Sequence, residues 1–150
     1  MKILIIEDDS NKSHQIIDFL KSTNSELEFS HKLSYQSGLR ELLFGHYQLV
    51  LLDMSLPTYD ISGHESGGRF RPFAGRELLY EITRKSKLTK VIVVTQFESF
   101  GEGDGTITNH ELDEQLHKEF GGMYGGMVYY NASVATWKDT LSELIKSVGA

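Results

Sequence analysis

Two apolar runs that break off into carboxylates constrain this chain more than any other feature. Near the start, Lys2-Ile3-Leu4-Ile5-Ile6 gives way to Glu7-Asp8-Asp9. Farther on, Leu49-Val50-Leu51-Leu52 closes on Asp53 and is followed by Met54-Ser55-Leu56-Pro57. Short continuous runs of this kind read as strands buried on both faces, and so as parallel strands. Their acids then lie at C-terminal strand ends, where open α/β sheets form a ligand crevice. Carboxylates converging there repel one another unless a cation lies between them, and an all-oxygen donor set suits Mg²⁺. A single such acid would only end its strand or cap the next helix. Two strand ends built this way point to an acidic site.

The rest of the chain alternates strand and helix. Ser10 is read as the N-cap of a helix to about residue 22, with Ile16, Ile17 and Leu20 on its apolar face. Strands follow at 27–31, 47–53, 91–94 and 127–130, and helices at 34–44, 75–85, 108–120 and 136–148. Five strands alternating with five helices make an α/β fold, a doubly wound five-stranded parallel sheet flanked by five helices. No internal repeat or linker divides the sequence, so one domain over 1–150 is expected.

Composition excludes several function classes. The chain has no cysteine, hence no thiol nucleophile and no thiolate metal site. A net charge of −6 and a pI near 5.5 argue against nucleic-acid binding, which needs a basic face. Arg69, Arg71, Arg76, Arg84, Lys85 and Lys87 are the candidates for a local basic patch. Lys2 is the one early cation and the apolar run after it is short, unlike a signal peptide; no segment reaches membrane-spanning length. The expectation is a cytoplasmic protein without nucleic-acid or membrane partners.

Three blocks carry a family resemblance. Ile3-Leu4-Ile5-Ile6-Glu7-Asp8-Asp9, Leu49 to Pro57, and Val91-Ile92-Val93-Val94-Thr95 resemble, in order and rough spacing, signature blocks of bacterial response-regulator receiver domains. The similarity is to the chemotaxis-regulator type, with its flavodoxin-like receiver fold, and spans nearly the whole chain. It implies that Asp53 is the phosphoacceptor, a carboxylate nucleophile forming an acyl phosphate. It implies that Asp8, Asp53 and the backbone carbonyl of Ser55 hold Mg²⁺ or Mn²⁺, with Glu7 reaching the metal through water. Thr95 becomes the switch hydroxyl that senses the phosphoryl group. The implied partners are a histidine kinase or phosphotransfer protein upstream and a protein target downstream. Signalling then runs through protein–protein contact in a two-component system, with no enzyme activity of its own and no output segment before Met1 or after Ala150.

The departures from the family pattern define the questions. The family places a lysine after the fifth strand, where this chain has Tyr130, or Asn131 in the other register; neither is cationic. Tyr130 thereby joins Thr95 among the switch positions. A second departure is an insertion at about 58–74, with Tyr59, Phe70 and Phe73 as aromatic anchors and Arg69 and Arg71 as possible surrogate cations. It reads either as a lid that turns an arginine to the acids or as a surface loop. A third is a longer connection at about 96–107. Its run from Asp104 to Glu111 imitates half of a calcium loop, but Phe100 occupies the first ligand position, so a turn and a Thr108–Glu111 capping box are expected.

Two other readings stand beside the phosphoacceptor. A pseudo-receiver adaptor would keep the fold and signal by binding alone, as the missing lysine suggests, whereas Glu7, Asp8, Asp53 and Thr95 favour chemistry. An aspartate-nucleophile phosphatase would need a second aspartate where Ser55 stands. The histidines, among them His64, His110 and His117, read as surface groups. Gly121-Gly122 and Gly125-Gly126 read as a tight helix-to-strand connection. Trp137 reads as core, or as a partner surface with Tyr129 and Tyr130.

Overall fold

The computed structural model describes residues 1–62, 66–85 and 88–149. His64, read above as a surface group, and Lys87, a candidate for a basic patch, lie outside the described residues, as do Gly63, Glu65, Ser86 and Ala150. The main sheet is built from β1 (Lys2–Ile6), β2 (Glu28–Lys32), β3 (Leu49–Leu52), β6 (Lys90–Thr95) and β9 (Tyr124–Tyr129). All neighbours in it are parallel, in the order β2-β1-β3-β6-β9. Two small antiparallel pairs lie apart from it: β4 (Leu56–Pro57) with β5 (Phe70–Arg71), and β7 (Ser99–Phe100) with β8 (Ile107–Thr108). The helices are α1 (Ser10–Thr23), α2 (Tyr35–Phe44), α3 (Ala74–Lys85), α4 (Asn109–Phe120) and α5 (Thr136–Ser147).

Strand alternation divides the core in two. Leu4, Ile6, Val50, Leu52, Val91 and Val93 face α2, α3 and α4, where Leu42, Leu78, Leu79 and Leu112 meet them. Ile3, Ile5, Leu49, Leu51, Ile92 and Val94 face α1 and α5, against Ile16, Leu20, Trp137 and Leu141. Burial on both faces is why these strands read as unbroken apolar runs. With β1, β3 and β6 side by side, Glu7, Asp53 and the end of β6 converge at one edge of the sheet.

Several local expectations are corrected. Asp9, not Ser10, caps α1: its Oδ1 accepts from the Asn11 and Lys12 amides at 3.0 and 3.2 Å. A carboxylate serves the helix N-terminus better than a hydroxyl because it also meets the dipole. Gly125 and Gly126 belong to β9, not to the connection before it, which is a 3₁₀ turn at Gly121–Met123. The β6–β9 register slips between Val91 and Ile92, and Gly125 is the extra residue. A Cβ on Gly125 would stand 2.5 Å from Val148 Cγ1, so glycine there lets the end of α5 close onto the sheet. Other expectations hold: the turn at Asp104-Gly105 is a 3₁₀ turn over Gly103–Gly105, and Thr108 Oγ1 caps α4 by accepting from the Glu111 amide at 3.1 Å.

The insertion after β3 docks sideways. Thr58 carbonyl accepts from the Gln36 amide, and Asp60 Oδ1 accepts from the hydroxyls of Ser34 and Ser37 at 2.6 and 2.7 Å. Ser34 is the N-cap of α2, so the carboxylate adds negative charge at a helix N-terminus. Arg71 lies 4.4 Å from the centre of the Tyr35 ring and pairs with Glu77 at 3.2 Å. The segment straps α2 to α3.

Candidate functional site

Asp53 follows the last residue of β3 and is 3% exposed. Its amide donates to the Ile6 carbonyl at 3.0 Å, extending the β1–β3 pairing to the strand ends. Its Oδ1 accepts from the Met54 amide at 2.8 Å, which leaves Oδ2 turned toward the crevice. Glu7, 2% exposed, is held by its own backbone between Lys32 and His31: its amide donates to the Lys32 carbonyl, and His31 Nε2 lies 2.8 Å from its carbonyl oxygen. Asp8 is exposed. One carboxylate oxygen from each of Glu7, Asp8 and Asp53 falls within 4.8 Å of the others. Three hard oxygen donors on rigid strand ends fit a small divalent cation that keeps several waters.

The cation that the structure places among these acids is Lys12, which the sequence reading missed. It is 0% exposed. Its ammonium is 2.5 Å from Glu7 Oε1 and 3.4 Å from Asp53 Oδ2, and donates to the Val94 carbonyl at 2.7 Å. The arginines expected here are elsewhere. Arg71 is committed to Glu77 and Tyr35, and Arg69 is exposed beside a groove it shares with Ser55, Phe97 and Phe100. A signal for Lys12 did exist: it shares a helical face with Ile16 and Leu20, at i+4 and i+8, and all three are buried. A lysine on an apolar stripe, one turn into the helix after an acid-ended strand, is aimed at that strand end.

One ammonium faces two buried carboxylates, and the balance shows in their proton affinities. Burial, then the charge of Asp53, push Glu7 up to about 8 against the pull of Lys12. Burial also raises Asp53, again against Lys12. Burial opposes the charge on Lys12, but Asp53 and Glu7 outweigh it and hold the group above its ordinary 10.5. The ammonium stays charged while the acids compete for it. A carboxyl raised on folding contributes stability that is complete below its unfolded value of 4.5 and is lost as pH rises through about 8. The urea midpoint of the metal-free protein is therefore expected to fall between about pH 4.5 and pH 8, and Glu7→Gln to flatten that slope. An unchanged slope in the variant would refute the assignment to Glu7.

Thr95 ends β6, fully buried, and its Oγ1 accepts from the Phe97 amide at 3.1 Å. The Tyr130 amide donates to the Thr95 carbonyl at 2.7 Å, placing Tyr130 directly after β9. Its side chain is buried, packs 5.1 Å from Trp137, donates to Gln15 Oε1 at 2.5 Å and lies 5.8 Å from the Lys12 ammonium. Trp137 is core, edge-on to Phe19 at 5.6 Å, whereas Tyr129 is exposed. Ser55 is buried, with its hydroxyl donating to the Pro72 carbonyl at 2.9 Å. His110 pairs with Glu114 and His117 with Asp113 along α4, so they do not share a ligand. Arg71, Arg76 and Arg84 each pair with a glutamate, and no helix among the described residues is long and apolar enough to cross a membrane.

No family model matches the sequence. The chain is 34% identical over 145 residues to an uncharacterized protein, y4jR, of Sinorhizobium fredii, covering 94% of each. It is 25% identical over 150 residues to the Detocs response regulatory protein DtcB of Enterobacter cloacae, covering 99% of this chain and 98% of that one. Among solved structures, the response regulator TrrA of Thermotoga maritima, in complex with Mg²⁺ and BeF, superposes with a TM-score of 0.57 at 18% identity, covering 95% of this chain and 97% of TrrA.

Proposed function

We propose that this chain, a member of the response-regulator receiver family, accepts a phosphoryl group on Asp53 and passes the signal on by protein–protein contact. The observation that carries the reading is the meeting of Glu7, Asp8 and Asp53 at adjacent strand ends beside the buried hydroxyl of Thr95. In the transfer, an oxygen of the Asp53 carboxylate forms a bond to phosphorus. The bond from phosphorus to the donor breaks, and its electron pair leaves with the donor: acetate from acetyl phosphate, an imidazole nitrogen from a phosphohistidine. Glu7, Asp8, Asp53 and the Ser55 carbonyl would hold Mg²⁺ or Mn²⁺, which when bound neutralises charge on the transferring group. Thr95 donates its hydroxyl to the phosphoryl oxygens and so couples their presence to the end of β6. The partners are a histidine kinase or phosphotransfer protein and a downstream protein. TrrA, similar in fold, has been seen with magnesium and a beryllofluoride group, which supports the same chemistry here.

Incubation with acetyl phosphate and Mg²⁺ is expected to give a base-labile adduct on the peptide containing Asp53, read by mass spectrometry. Titration with Mg²⁺ alone should shift amide resonances of residues 7–9 and 53–55, and Asp8→Asn should weaken that binding by about tenfold or more. Wild-type protein that forms no adduct would leave the second reading, an adaptor that works by binding alone. That reading draws on the uncharged Tyr130 after β9.

A further inference from the structure

We infer that Lys12 is the residue that meets the phosphoryl group on Asp53, so that the site's cation comes from the first turn of α1 and not from the segment after the last strand. The inference rests on the phosphoacceptor role proposed for Asp53. Three observations support it. The Lys12 ammonium already touches the acceptor carboxylate, 3.4 Å from the oxygen that is not engaged by the Met54 amide. It is fixed from behind by the Val94 carbonyl at 2.7 Å, one residue before Thr95. And the place after β9 is filled by Tyr130, whose ring lies 5.8 Å from the same ammonium. The aromatic ring and the ammonium occupy adjoining space, so the cation has one route in, along α1.

The path of the Lys12 side chain is built, not incidental. Asp9 caps α1 and binds the Lys12 amide, fixing where the first turn begins. The stem then runs through the apolar stripe with Ile16, and the charge emerges only at the strand ends. A lysine ammonium carries three protons, here directed to Glu7, Asp53 and Val94. When Asp53 becomes an acyl phosphate, the proton that faces its carboxylate faces a phosphoryl oxygen instead, with little motion required. Tyr130 acts on Lys12 as a wall: packed on Trp137 and tied to Gln15, it confines the ammonium to the acid side.

The test compares wild type, Lys12→Met, Lys12→Arg, Tyr130→Lys and the double variant Lys12→Met/Tyr130→Lys. Each is treated with acetyl phosphate and Mg²⁺, and the adduct is followed by mass spectrometry. Lys12→Met is expected to form adduct at least about tenfold more slowly, and the double variant to recover most of the loss by bringing a lysine in from the β9 side. Tyr130→Lys alone should gain less than about threefold, because the site already has its cation. Equal labelling of Lys12→Met and wild type, or a sharp gain in Tyr130→Lys alone, would overturn the role of Lys12 while leaving Asp53 as acceptor. An unlabelled wild type would overturn the phosphoacceptor reading and this inference with it. Should Lys12→Met fail to fold, ¹³C-lysine spectra of the wild type decide. The Lys12 Cε signal, assigned from Lys12→Arg, must shift when beryllofluoride is added over Mg²⁺, and a stationary signal refutes the proposal.

Discussion

Replacing Asp53 with asparagine is expected to abolish acyl-phosphate formation and, in the same protein, to lower the proton affinity of Glu7. The first effect is chemical. A carboxamide offers no anionic oxygen to phosphorus, and no other carboxylate among the described residues stands both at the end of the central strand and against Lys12. Labelling should drop to background, and an adduct persisting in the variant would show that another residue is the acceptor. The second effect is electrostatic. Asp53 is the largest charge holding Glu7 up, after burial itself, and competes with it for Lys12. With asparagine at 53, the ammonium 2.5 Å away serves Glu7 alone. The midpoint of Glu7 should fall from about 8 toward the ordinary carboxylate range, as read from its side-chain carboxyl resonance across a pH series. A midpoint that stays put would mean that burial alone sets it.

The second large effect is expected at Gly75, and it is steric. A Cβ there would lie 2.6 Å from Leu52 Cδ1, 2.8 Å from the Asp53 carbonyl oxygen and 3.0 Å from Met54 Cα. Two of these three contacts are backbone, which cannot swing aside. Alanine would otherwise favour the helix by about 1 kcal/mol, but the overlap outweighs that gain. Gly75→Val should cost roughly 2–4 kcal/mol in urea unfolding. The Gly75 amide also donates to the Met54 carbonyl, so displacing α3 pulls on the residue next to Asp53. Gly38→Ala is the informative comparison: its Cβ would meet Ile6 side-chain carbons at 2.8 and 2.9 Å, which a rotamer change relieves in part, and the cost should be smaller. Equal costs would show that the α3 contact is softer than its geometry.

The strand ends were legible because burial on both faces forces a continuous apolar run, and the acids that interrupt it stand out. Asp53, Glu7 and Asp8 stood out by that contrast, whereas Thr95 was singled out only through the family resemblance. Lys12 did not, because a cation in the first turn of a helix reads as a solvated side chain unless it is placed on the same face as Ile16 and Leu20. Arg69 and Arg71 drew attention for the opposite reason. They stand close to Asp53 in sequence, but the β4–β5 pairing turns the strand carrying Arg71 toward α2 and Glu77. The β9 glycines were misplaced because a bulge breaks the alternation by which a strand is recognised.

The contact between Tyr130 and Trp137 has an optical consequence. Trp137 is the sole tryptophan of the chain, and its ring centre lies 5.1 Å from that of Tyr130, which in turn sits 5.8 Å from the Lys12 ammonium. Tyr130 therefore neighbours both the indole and the Lys12 ammonium of the crevice. A rearrangement of the acid cluster that moves the Tyr130 ring is thus expected to shift the emission wavelength of the unlabelled protein, a signal from inside the core.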